Sequence, residues 1–394
     1  MKETLSYVLL TPYTVAKSRT GGVVSRLLSQ SDLSLVGAQM IAADKKFAYD
    51  YAESLRGQTR PEFPSAMNML ATYVERNIGP SGGRPHRTLM LIFRGVDPCK
   101  KLSDVCGALY AENRSIESFT GETIRDTFAD LIYDKNNTNR ITYFEPAVLT
   151  PRIQEHADSF FRLLAPWLPG QPNIIENVIY PNPDKVERTL VIIKPDNWKY
   201  ASSRPGTILD MFSRTGLRIV GVKVMRLSVA QAMEFYGPVK ENLKTKLAGV
   251  FAKKGKELIE KSFDIELSPM SLKIIEESFG TEYAVDQFEQ IVEFMSGSRP
   301  SKTPVEKLEE PGSVKCMILV YEGENATAKI RDVLGPTDPL KAPEGTIRRE
   351  LGTDIMVNTA HASDSVESAS REMNVVEFHT NDCSEIVKSY VKLL

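Results

Sequence analysis

The stretch RTLVIIKPDNW at residues 188–198 has a counterpart at residues 5–15, which read LSYVLLTPYTV. The likeness continues downstream, since RIVGVKV at 218–224 matches SLVGAQM at 34–40. Each pair consists of two apolar runs in the same order, as two strands of one repeated unit would. Self-similarity of this kind marks an internal repeat. The sequence therefore predicts two copies of one fold in tandem.

Two further pairs show where the copies differ in length. RTLMLIF at 87–93 resembles KCMILVY at 315–321, and GETIRDTF at 121–128 resembles EGTIRREL at 344–351. The two members of the last pair lie farther apart along the sequence than the two members of each pair described above, so the second copy carries additional residues. We place them in the Lys-rich, helix-patterned stretch at about 240–286, as an insertion within the fold.

The segment between the copies has the composition of a linker. PWLPGQPNIIENVIYPNPDK at 166–185 contains five prolines and few periodic apolar positions, which favours an extended chain. We therefore predict a first domain at residues 1–165, a linker at 166–186, and a second domain at 187–394 that includes the insertion.

Length and composition narrow the class of protein. The chain has 394 residues, enough for two or three domains, with 49 basic and 51 acidic side chains. This balance gives no overall basic field for nucleic acid. The four cysteines form no CxxC pair, so the sequence predicts neither a zinc site nor a disulfide framework. The N-terminus is a poor signal peptide and no apolar run is long enough to span a membrane, so we expect a cytoplasmic protein.

The second copy starts with a β-α-β-α pattern. RTLVIIK reads as a strand, a helix begins near Pro205 and stops at Gly216, and a strand follows at 217–227. Ser228 and Gln231 then form a capping box for the next helix.

A second β-α-β pattern follows the insertion. We predict, in order, a strand at 315–321, a helix from about Asn325 to Leu334 closed by Gly335, a strand at 354–359, and a helix from about Asp364 to Met373. Two such halves match the split ferredoxin-like arrangement. The predicted fold class is α/β of the α+β type, with tandem ferredoxin-like βαββαβ domains, each an antiparallel sheet with helices on one face.

Four motifs of the second copy resemble the successive motifs of nucleoside diphosphate kinases. They are IKPD at 193–196, IRDVLGPTDP at 330–339, GTIR at 345–348 and VNTAHASDSVESASREM at 357–373. Each is weak alone, because a lone histidine before a helix is usually a cap and a lone arginine a solvated charge. Their joint occurrence in order carries the resemblance. It implies ping-pong transfer of the γ-phosphate of a nucleoside triphosphate to a nucleoside diphosphate through phospho-His361.

Phosphoryl transfer explains why these residue types suit such a site. The reaction needs an in-line nucleophile and cations for the charge on the equatorial oxygens. The neutral imidazole of His361 is nucleophilic near pH 7. Lys194 would place a point charge on the terminal phosphates, while Arg331 and Arg348 offer planar forks that match phosphate oxygens.

The remaining roles are implied by the resemblance. Thr337 resembles the phosphate-binding hydroxyl, and Asn358 the group that contacts the sugar or bridging oxygen. In the family the residue at the position of Glu372 holds the imidazole, and the residue at the position of Ser363 lies close to the ring.

Tyr236 also belongs to the expected nucleotide site. Phe288 and Ile291 resemble the hydrophobic clamp on the base, although Gln287 stands where the family often has an aromatic residue. Mg²⁺ would arrive with the nucleotide, since no cage of carboxylates is visible.

The first copy departs from these motifs. Thr11 stands in the place of the lysine, Ser103 in that of the first arginine, and Glu145 or a neighbour in that of the nucleophile, while Arg125 is retained. A carboxylate there would repel phosphates, so we predict a non-catalytic copy kept for packing or regulation. By analogy with a family that assembles from copies of itself, the tandem pair resembles a dimer fused in one chain, with a further homo-oligomer possible.

Two rival functions stay open on the same fold. Asn197 follows KPD where the family usually has Gly, and Ala362 replaces the Gly after the histidine; both changes cost backbone freedom. With the altered base clamp and the degenerate first copy, these departures also suit a nucleotide-sensing protein. The third reading is a phosphorelay component that passes the group from phospho-His361 to another protein. The insertion would then be a docking surface, whereas in the enzyme we expect it to cover the base or contact the first domain.

Overall fold

The computed structural model describes residues 2–58, 64–109, 120–133 and 141–394. Its strands are β1 Thr4–Leu10, β2 Ser34–Ile41, β3 Thr88–Gly95, β4 Asp130–Tyr133, β5 Ile141–Glu145, β6 Val148–Leu149, β7 Val186–Ile193, β8 Arg218–Met225, β9 Cys316–Glu324 and β10 Ala360–Ala362. Its helices are α1 Pro12–Ala16, α2 Thr20–Ser29, α3 Lys45–Arg56, α4 Pro64–Tyr73, α5 Pro98–Cys106, α6 Ile124–Phe128, α7 Gln154–Trp167, α8 Arg204–Ser213, α9 Val229–Phe235, α10 Gly237–Phe263, α11 Pro269–Ile275, α12 Thr281–Ser296, α13 Ala326–Leu334, α14 Ile347–Leu351, α15 Val366–Val375 and α16 Asp382–Val391.

Two four-stranded sheets share one topology. The first has the order β2-β3-β1-β6, and the second, read in the same direction, has the order β8-β9-β7-β10. β1 pairs antiparallel with β3 and β6, as β7 does with β9 and β10. This order is that of the split ferredoxin-like fold. The predicted fold class and its repetition along the chain are confirmed.

The first sheet is covered on both faces, which corrects the expectation of helices on one face. Side chains of β1 alternate between two hydrophobic clusters, with Val8 and Leu10 in one and Leu5, Tyr7 and Leu9 in the other. Helices α2 and α5 contribute to the first cluster, and α3, α7 and α16 to the second. In the second set α3 lies between β2 and β3, and α7 and α16 follow the last strand of a copy, so the six elements of the βαββαβ pattern alone could not predict it.

Several helix boundaries agree with the sequence prediction. Ser228 caps α9 through the predicted capping box, since its Oγ accepts from Gln231 N at 3.0 Å and its own N–H donates to Gln231 Oε1 at 3.1 Å. Helix α13 ends at Gly335, whose φ of +82° is a left-handed value that favours glycine.

The segment before the histidine was wrongly predicted. The strand expected at 354–359 is a turn, because Asp354 Oδ1 accepts hydrogen bonds from Met356 N and Val357 N at 2.7 Å each, and β10 begins at Ala360. Side-chain to backbone bonds of this kind compete with strand pairing.

The following helix begins later than predicted. It spans Val366–Val375, and Ser365 is its N-cap, since its Oγ accepts from Ser368 N at 3.0 Å. The predicted start at about Asp364 is therefore two residues too early.

By their internal contacts the described residues form two compact units. The first comprises Met1–Met225 with Met317–Leu394 and holds both sheets, and the second comprises Arg226–Cys316.

Within the first unit α2 packs on α8 at two glycines. A Cβ on Gly206 would lie 2.4 Å from Gly21 O, and a Cβ on Gly21 would lie 2.4 Å from Asp210 N. These helices therefore approach backbone to backbone.

Side chains from both copies share one hydrophobic cluster in the first unit. It includes Val8 and Leu27 from the first copy and Ile193 and Phe212 from the second, all with relative exposure of 0%. Arg87 adds a polar tie, since its guanidinium donates to Ile219 O at 2.6 Å.

The chain between the copies has no regular structure around Asn173, yet it is buried there. Asn173 and Ile175 are 4% and 3% exposed. Ile175 N donates to Val220 O at 2.9 Å, and Asn173 Nδ2 donates to Phe378 O at 2.8 Å. Helix α16 then packs on α7, where Tyr390 OH donates to Asp158 Oδ1 at 2.8 Å. The last helix of the second copy thus covers the first copy.

The second unit is helical. It contains α9 and the segment α10–α12, so the insertion predicted at about 240–286 is helical, as its sequence pattern indicated. Helix α10 packs on α12, and Ala248 and Ala252 of α10 and Ala284 of α12 are buried. No helix among the described residues of the chain is long and apolar enough to cross a membrane.

Candidate active site

Lys194 directly follows β7 and is held against the segment before the histidine. Its backbone N–H donates to Thr359 O at 3.0 Å, and its Nζ donates to Asn358 Oδ1 at 2.6 Å. The side chain is buried, with 9% exposure. Desolvation, with a smaller contribution from the Arg348 charge, lowers the pKa of Lys194 to about 7. A buried lysine of this kind is poised to regain full charge beside an anion.

His361 lies in β10, paired with Ile192 of β7. Its Nε2 lies 3.0 Å from Glu372 Oε2, and the same carboxylate oxygen accepts from Ser363 Oγ at 2.7 Å. Glu372 is 4% exposed, and its second oxygen lies 3.5 Å from the guanidinium of Arg371. The structure therefore brings His361, Ser363 and Glu372 together. When a carboxylate accepts a hydrogen bond from Nε2, the proton of the neutral imidazole is on Nε2 and the lone pair is on Nδ1.

Asn358 links Lys194 to the loop that carries Thr337. Its Nδ2 donates to Thr337 O at 3.2 Å and to Ile355 O at 2.6 Å, while its Oδ1 accepts a hydrogen bond from Lys194 Nζ. Thr359, next along the chain, has a φ of +78°, which is rare for a β-branched residue. The Thr337 side chain itself is exposed.

Arg348 is engaged by the backbone of its own copy. It donates to Gly335 O and to Ala360 O, at 2.9 Å each, and is 9% exposed. The carbonyl partners lie just after α13 and at the start of β10, so the guanidinium ties the end of α13 to the strand that carries His361. This contact was missed from sequence, where Arg348 was assigned to phosphate alone.

Arg331 lies on the last turn of α13 and is exposed. A hydrogen bond with Ser368 and, to a smaller degree, the charge of Arg331 lower the pKa of Asp364, which follows His361 by three residues in the chain. Of the three cations, Lys194 and Arg348 therefore contact the residues directly before His361.

A family sequence model described as nucleoside diphosphate kinase matches residues 187–251 and 238–382. A nucleoside diphosphate kinase of Anaeromyxobacter dehalogenans is 32% identical over 189 residues, covering 48% of this chain and 87% of that protein. One from Nitratiruptor is 31% identical over 188 residues, covering 48% of this chain and 93% of that protein.

The chain belongs to the nucleoside diphosphate kinase family. The match lies in the second copy, where all four motifs stand. Two solved structures are also similar: the Aquifex aeolicus nucleoside diphosphate kinase, at 29% identity with a TM-score of 0.29, and a Pyrobaculum aerophilum NDP kinase, at 26% identity with a TM-score of 0.34. Each covers 48% of this chain and 94% of the other chain.

The expected base contacts of the nucleoside diphosphate kinase site lie in the second compact unit. Phe288 is 3% exposed and lies under Lys240, whose Nζ is 5.3 Å from the ring centroid. Tyr236 is 7% exposed and packs against Phe235, with ring centroids 5.0 Å apart. Ile291 lies on α12, partly exposed. Their role at the base stays a prediction.

The first copy keeps the family's framework without its chemical groups. Arg125 donates to Gly107 O and to Val148 O, which are the counterparts of the two carbonyls bound by Arg348. Leu149 pairs with Leu9 as His361 pairs with Ile192. Leu149 therefore stands at the position of His361, and Glu145, one of the two alternatives left open by the sequence, lies four residues earlier.

Glu145 instead binds the residue that replaces the lysine. It accepts from Thr11 Oγ1 at 2.7 Å and from Tyr73 OH at 2.6 Å, and its burial raises its pKa. Phe160 of α7, buried at 0% exposure, lies as far from its helix start as Glu372 does in α15. Apolar side chains, Leu149 and Phe160, therefore stand where the second copy has His361 and Glu372.

Proposed function

We propose that residues 187–394 form a nucleoside diphosphate kinase domain in which His361 carries the phosphoryl group. The observation that carries the proposal is the 3.0 Å contact between His361 Nε2 and the buried Glu372. It fixes one tautomer and presents the Nδ1 lone pair as the nucleophile. Ser363 orients the carboxylate through the bond to Glu372 Oε2, of 2.7 Å.

The cationic groups of the second copy suit a triphosphate. Lys194, buried and held by Asn358, would regain its full charge when a phosphate approaches, and Arg331 would add a guanidinium at the outer side. Arg348 is predicted to add to this field while it holds its two carbonyls. Thr337 and Asn358 are the expected hydroxyl and amide contacts to the phosphates and the sugar.

The chemistry consists of two half-reactions. The Nδ1 lone pair forms a P–N bond with the γ-phosphorus as the bond from that phosphorus to the β,γ-bridging oxygen breaks, and the nucleoside diphosphate leaves with that electron pair. A terminal phosphate oxygen of a second nucleoside diphosphate then attacks, and the P–N bond returns its electrons to Nδ1. Mg²⁺ enters as part of the nucleotide substrate, where it neutralises phosphate charge.

Trapping the intermediate tests the enzyme proposal. Incubation with Mg-ATP labelled at the γ-phosphate should give one acid-labile, base-stable label per chain, absent in His361→Gln. His379→Gln is the matched control, since His379 is exposed and outside the motifs. A wild-type protein that takes no label, while binding nucleotide, would be a sensor instead.

Discharge of the labelled protein identifies the acceptor. ADP, GDP or dCDP should each remove the label within one turnover and appear as the triphosphate. Label that persists with all three nucleotides would contradict the kinase and favour the phosphorelay reading.

The proposal includes the arrangement of the chain. Residues 1–165 would be a non-catalytic copy, joined through the linker at 166–186 to the catalytic copy, with the two paired as an intramolecular pseudo-dimer. The shared hydrophobic cluster and the close approach of Gly21 to Gly206 support this pairing. A monomer of 44.0 kDa with full activity is the expected minimal form, and sedimentation at graded concentrations would measure it.

The inserted segment is proposed to act on nucleotide binding. Deletion of residues 241–284 should weaken the affinity for ADP if the helices cover the base. Unchanged binding and turnover would dismiss this role.

A further inference from the structure

Asn197 occupies a position that the mechanism above does not use, directly after the Lys-Pro-Asp turn. Its side chain is 2% exposed and lies in a short 3₁₀ turn, Pro195–Trp198. The Nδ2 amide donates to Lys194 O at 3.0 Å and to Thr359 O at 2.8 Å, with a longer approach of 3.3 Å to Asp196 Oδ1. One side chain therefore ties the lysine's backbone to the residue between Asn358 and the histidine strand.

The orientation of this amide is fixed by its surroundings. Both carbonyls are acceptors and require the NH₂ group, while Arg204 Nε approaches Asn197 Oδ1 at 3.3 Å and requires the oxygen. Arg204 is itself held by Leu351 O at 2.7 Å. The bridge thus connects the turn after β7, the loop before β10 and the end of α14.

The bridge acts where the backbone is unfavourable. Thr359 has a φ of +78°, and its carbonyl accepts both Lys194 N, at 3.0 Å, and Asn197 Nδ2. A strained residue persists only when its surroundings hold it. Asn197, in the turn that begins at Lys194, holds Thr359 in place through this hydrogen bond. Because Asn358 precedes Thr359, a displacement of Thr359 would also move Asn358 away from Lys194 Nζ.

We infer that Asn197 is a positioning residue, which holds the Lys194–Asn358 pair in register with His361 through the carbonyls of Lys194 and Thr359. The inference rests on the proposed phosphoryl transfer. The sequence suggested that an asparagine in place of the family's usual glycine only costs backbone freedom. The structure instead gives Asn197 no left-handed φ, and its side chain adds a bridge between two segments that a glycine could not make.

The test compares Asn197→Ala with Asn173→Ala. Asn173 is a matched control, because it is 4% exposed and its Nδ2 also donates to two backbone carbonyls, those of Phe378 and Thr380, away from the site. Both variants lose the same kind of bridge. The rate of His361 labelling from Mg-ATP should fall about 10- to 100-fold in Asn197→Ala, the scale expected when a reacting group is misplaced by about 1 Å. Asn173→Ala should label at the wild-type rate.

A second readout separates positioning from general loss of structure. The dissociation constant for ADP should stay within about threefold of wild type in Asn197→Ala, while the labelling rate falls. Asn197→Ser keeps one donor and should recover part of the rate; it also serves if the alanine variant does not fold.

Each failure has its own signature. A labelling rate in Asn197→Ala equal to that of wild type, or an equal loss in Asn173→Ala, would overturn the role of Asn197. A wild-type protein that takes no label would overturn the proposed function itself.

Discussion

Leu149 and His361 occupy the same register in two copies of one sheet: Leu149 pairs with Leu9 of β1, and His361 pairs with Ile192 of β7. The residues before them also match, since Ala147 and Thr359 both have left-handed backbone, with φ of +60° and +78°. The left-handed residue that precedes His361 by two positions is therefore also present in the copy that has no histidine there. It belongs to the architecture of the fold rather than to its chemistry.

Restoring a histidine to the first copy should not restore phosphorylation. In a His361→Gln background, Leu149→His is expected to take no label from Mg-ATP, because Thr11, Ser103 and Phe160 stand where the second copy has its lysine, first arginine and glutamate. Electrophoresis under alkaline conditions measures the label. Label at Leu149→His above the background of His361→Gln would show that the framework alone suffices.

Glu372→Gln should slow labelling of His361 about 10- to 100-fold, the cost commonly seen when the partner that orients a histidine is changed. The amide can present N–H to Nε2, which moves the ring proton to Nδ1 and removes the nucleophilic lone pair. Rapid-quench measurement of the first turnover gives the rate. The control is Glu385→Gln on α16, an exposed glutamate, which should label normally. An unchanged rate in Glu372→Gln would show that the tautomer is set elsewhere.

Lys194 should make stability depend on pH above neutrality. Its pKa is lowered from 10.5 to about 7 in the folded chain, so between these values the unfolded chain binds a proton that the folded chain has lost. The free energy of unfolding therefore rises with pH in this window, and the cost of burying the charge is fully present below pH 7.

Lys194→Met removes that cost. Its stability relative to wild type should be highest at pH 6 and should shrink by up to about 1.4 kcal/mol per pH unit between pH 7 and 10. Urea unfolding at a series of pH values measures the difference. Lys185→Met, at an exposed lysine, is the control and should show a constant difference. A constant difference for Lys194→Met as well would contradict the lowered pKa.

Gly206→Ala should destabilise the first compact unit. The new Cβ would lie 2.3 Å from Ser25 N and 2.4 Å from Gly21 O, so α2 and α8 would have to separate. Overpacking of this kind costs about 1 to 3 kcal/mol. Thermal unfolding measures the loss, and Gly170→Ala, where a Cβ would meet nothing within 4 Å, is the control. Equal stability of both variants would show that the helices can part without cost.

The sequence was most informative where local signals and burial agree. Strands β1, β2 and β3 of the first sheet, β7, β8 and β9 of the second, the Ser228 cap and the Gly335 stop follow from apolar runs and from residues whose backbone preference is strong. The topology followed from the repeat, because each copy had to bury the same pattern of strands.

The errors arose where side chains bond to the backbone. Asp354 turned an apparent strand into a loop through two bonds to nearby N–H groups. Arg348 was assigned to phosphate because its carbonyl partners, at Gly335 and Ala360, come together only in the folded chain. Asn197 was noted for its departure from the family, yet its partner Thr359 is remote in sequence. A motif fixes the residue types of a site, while the contacts that hold them depend on tertiary structure.

Helix α16 has a practical consequence for work with half-chains. Its Cys383 and Val387 are buried in the cluster formed by the first copy, at 4% and 0% exposure. A gene divided at the linker would yield a C-terminal fragment with an uncovered apolar stripe and an N-terminal fragment with an open groove of the same shape. Co-expression of the two fragments should keep both in solution, whereas each one alone should aggregate.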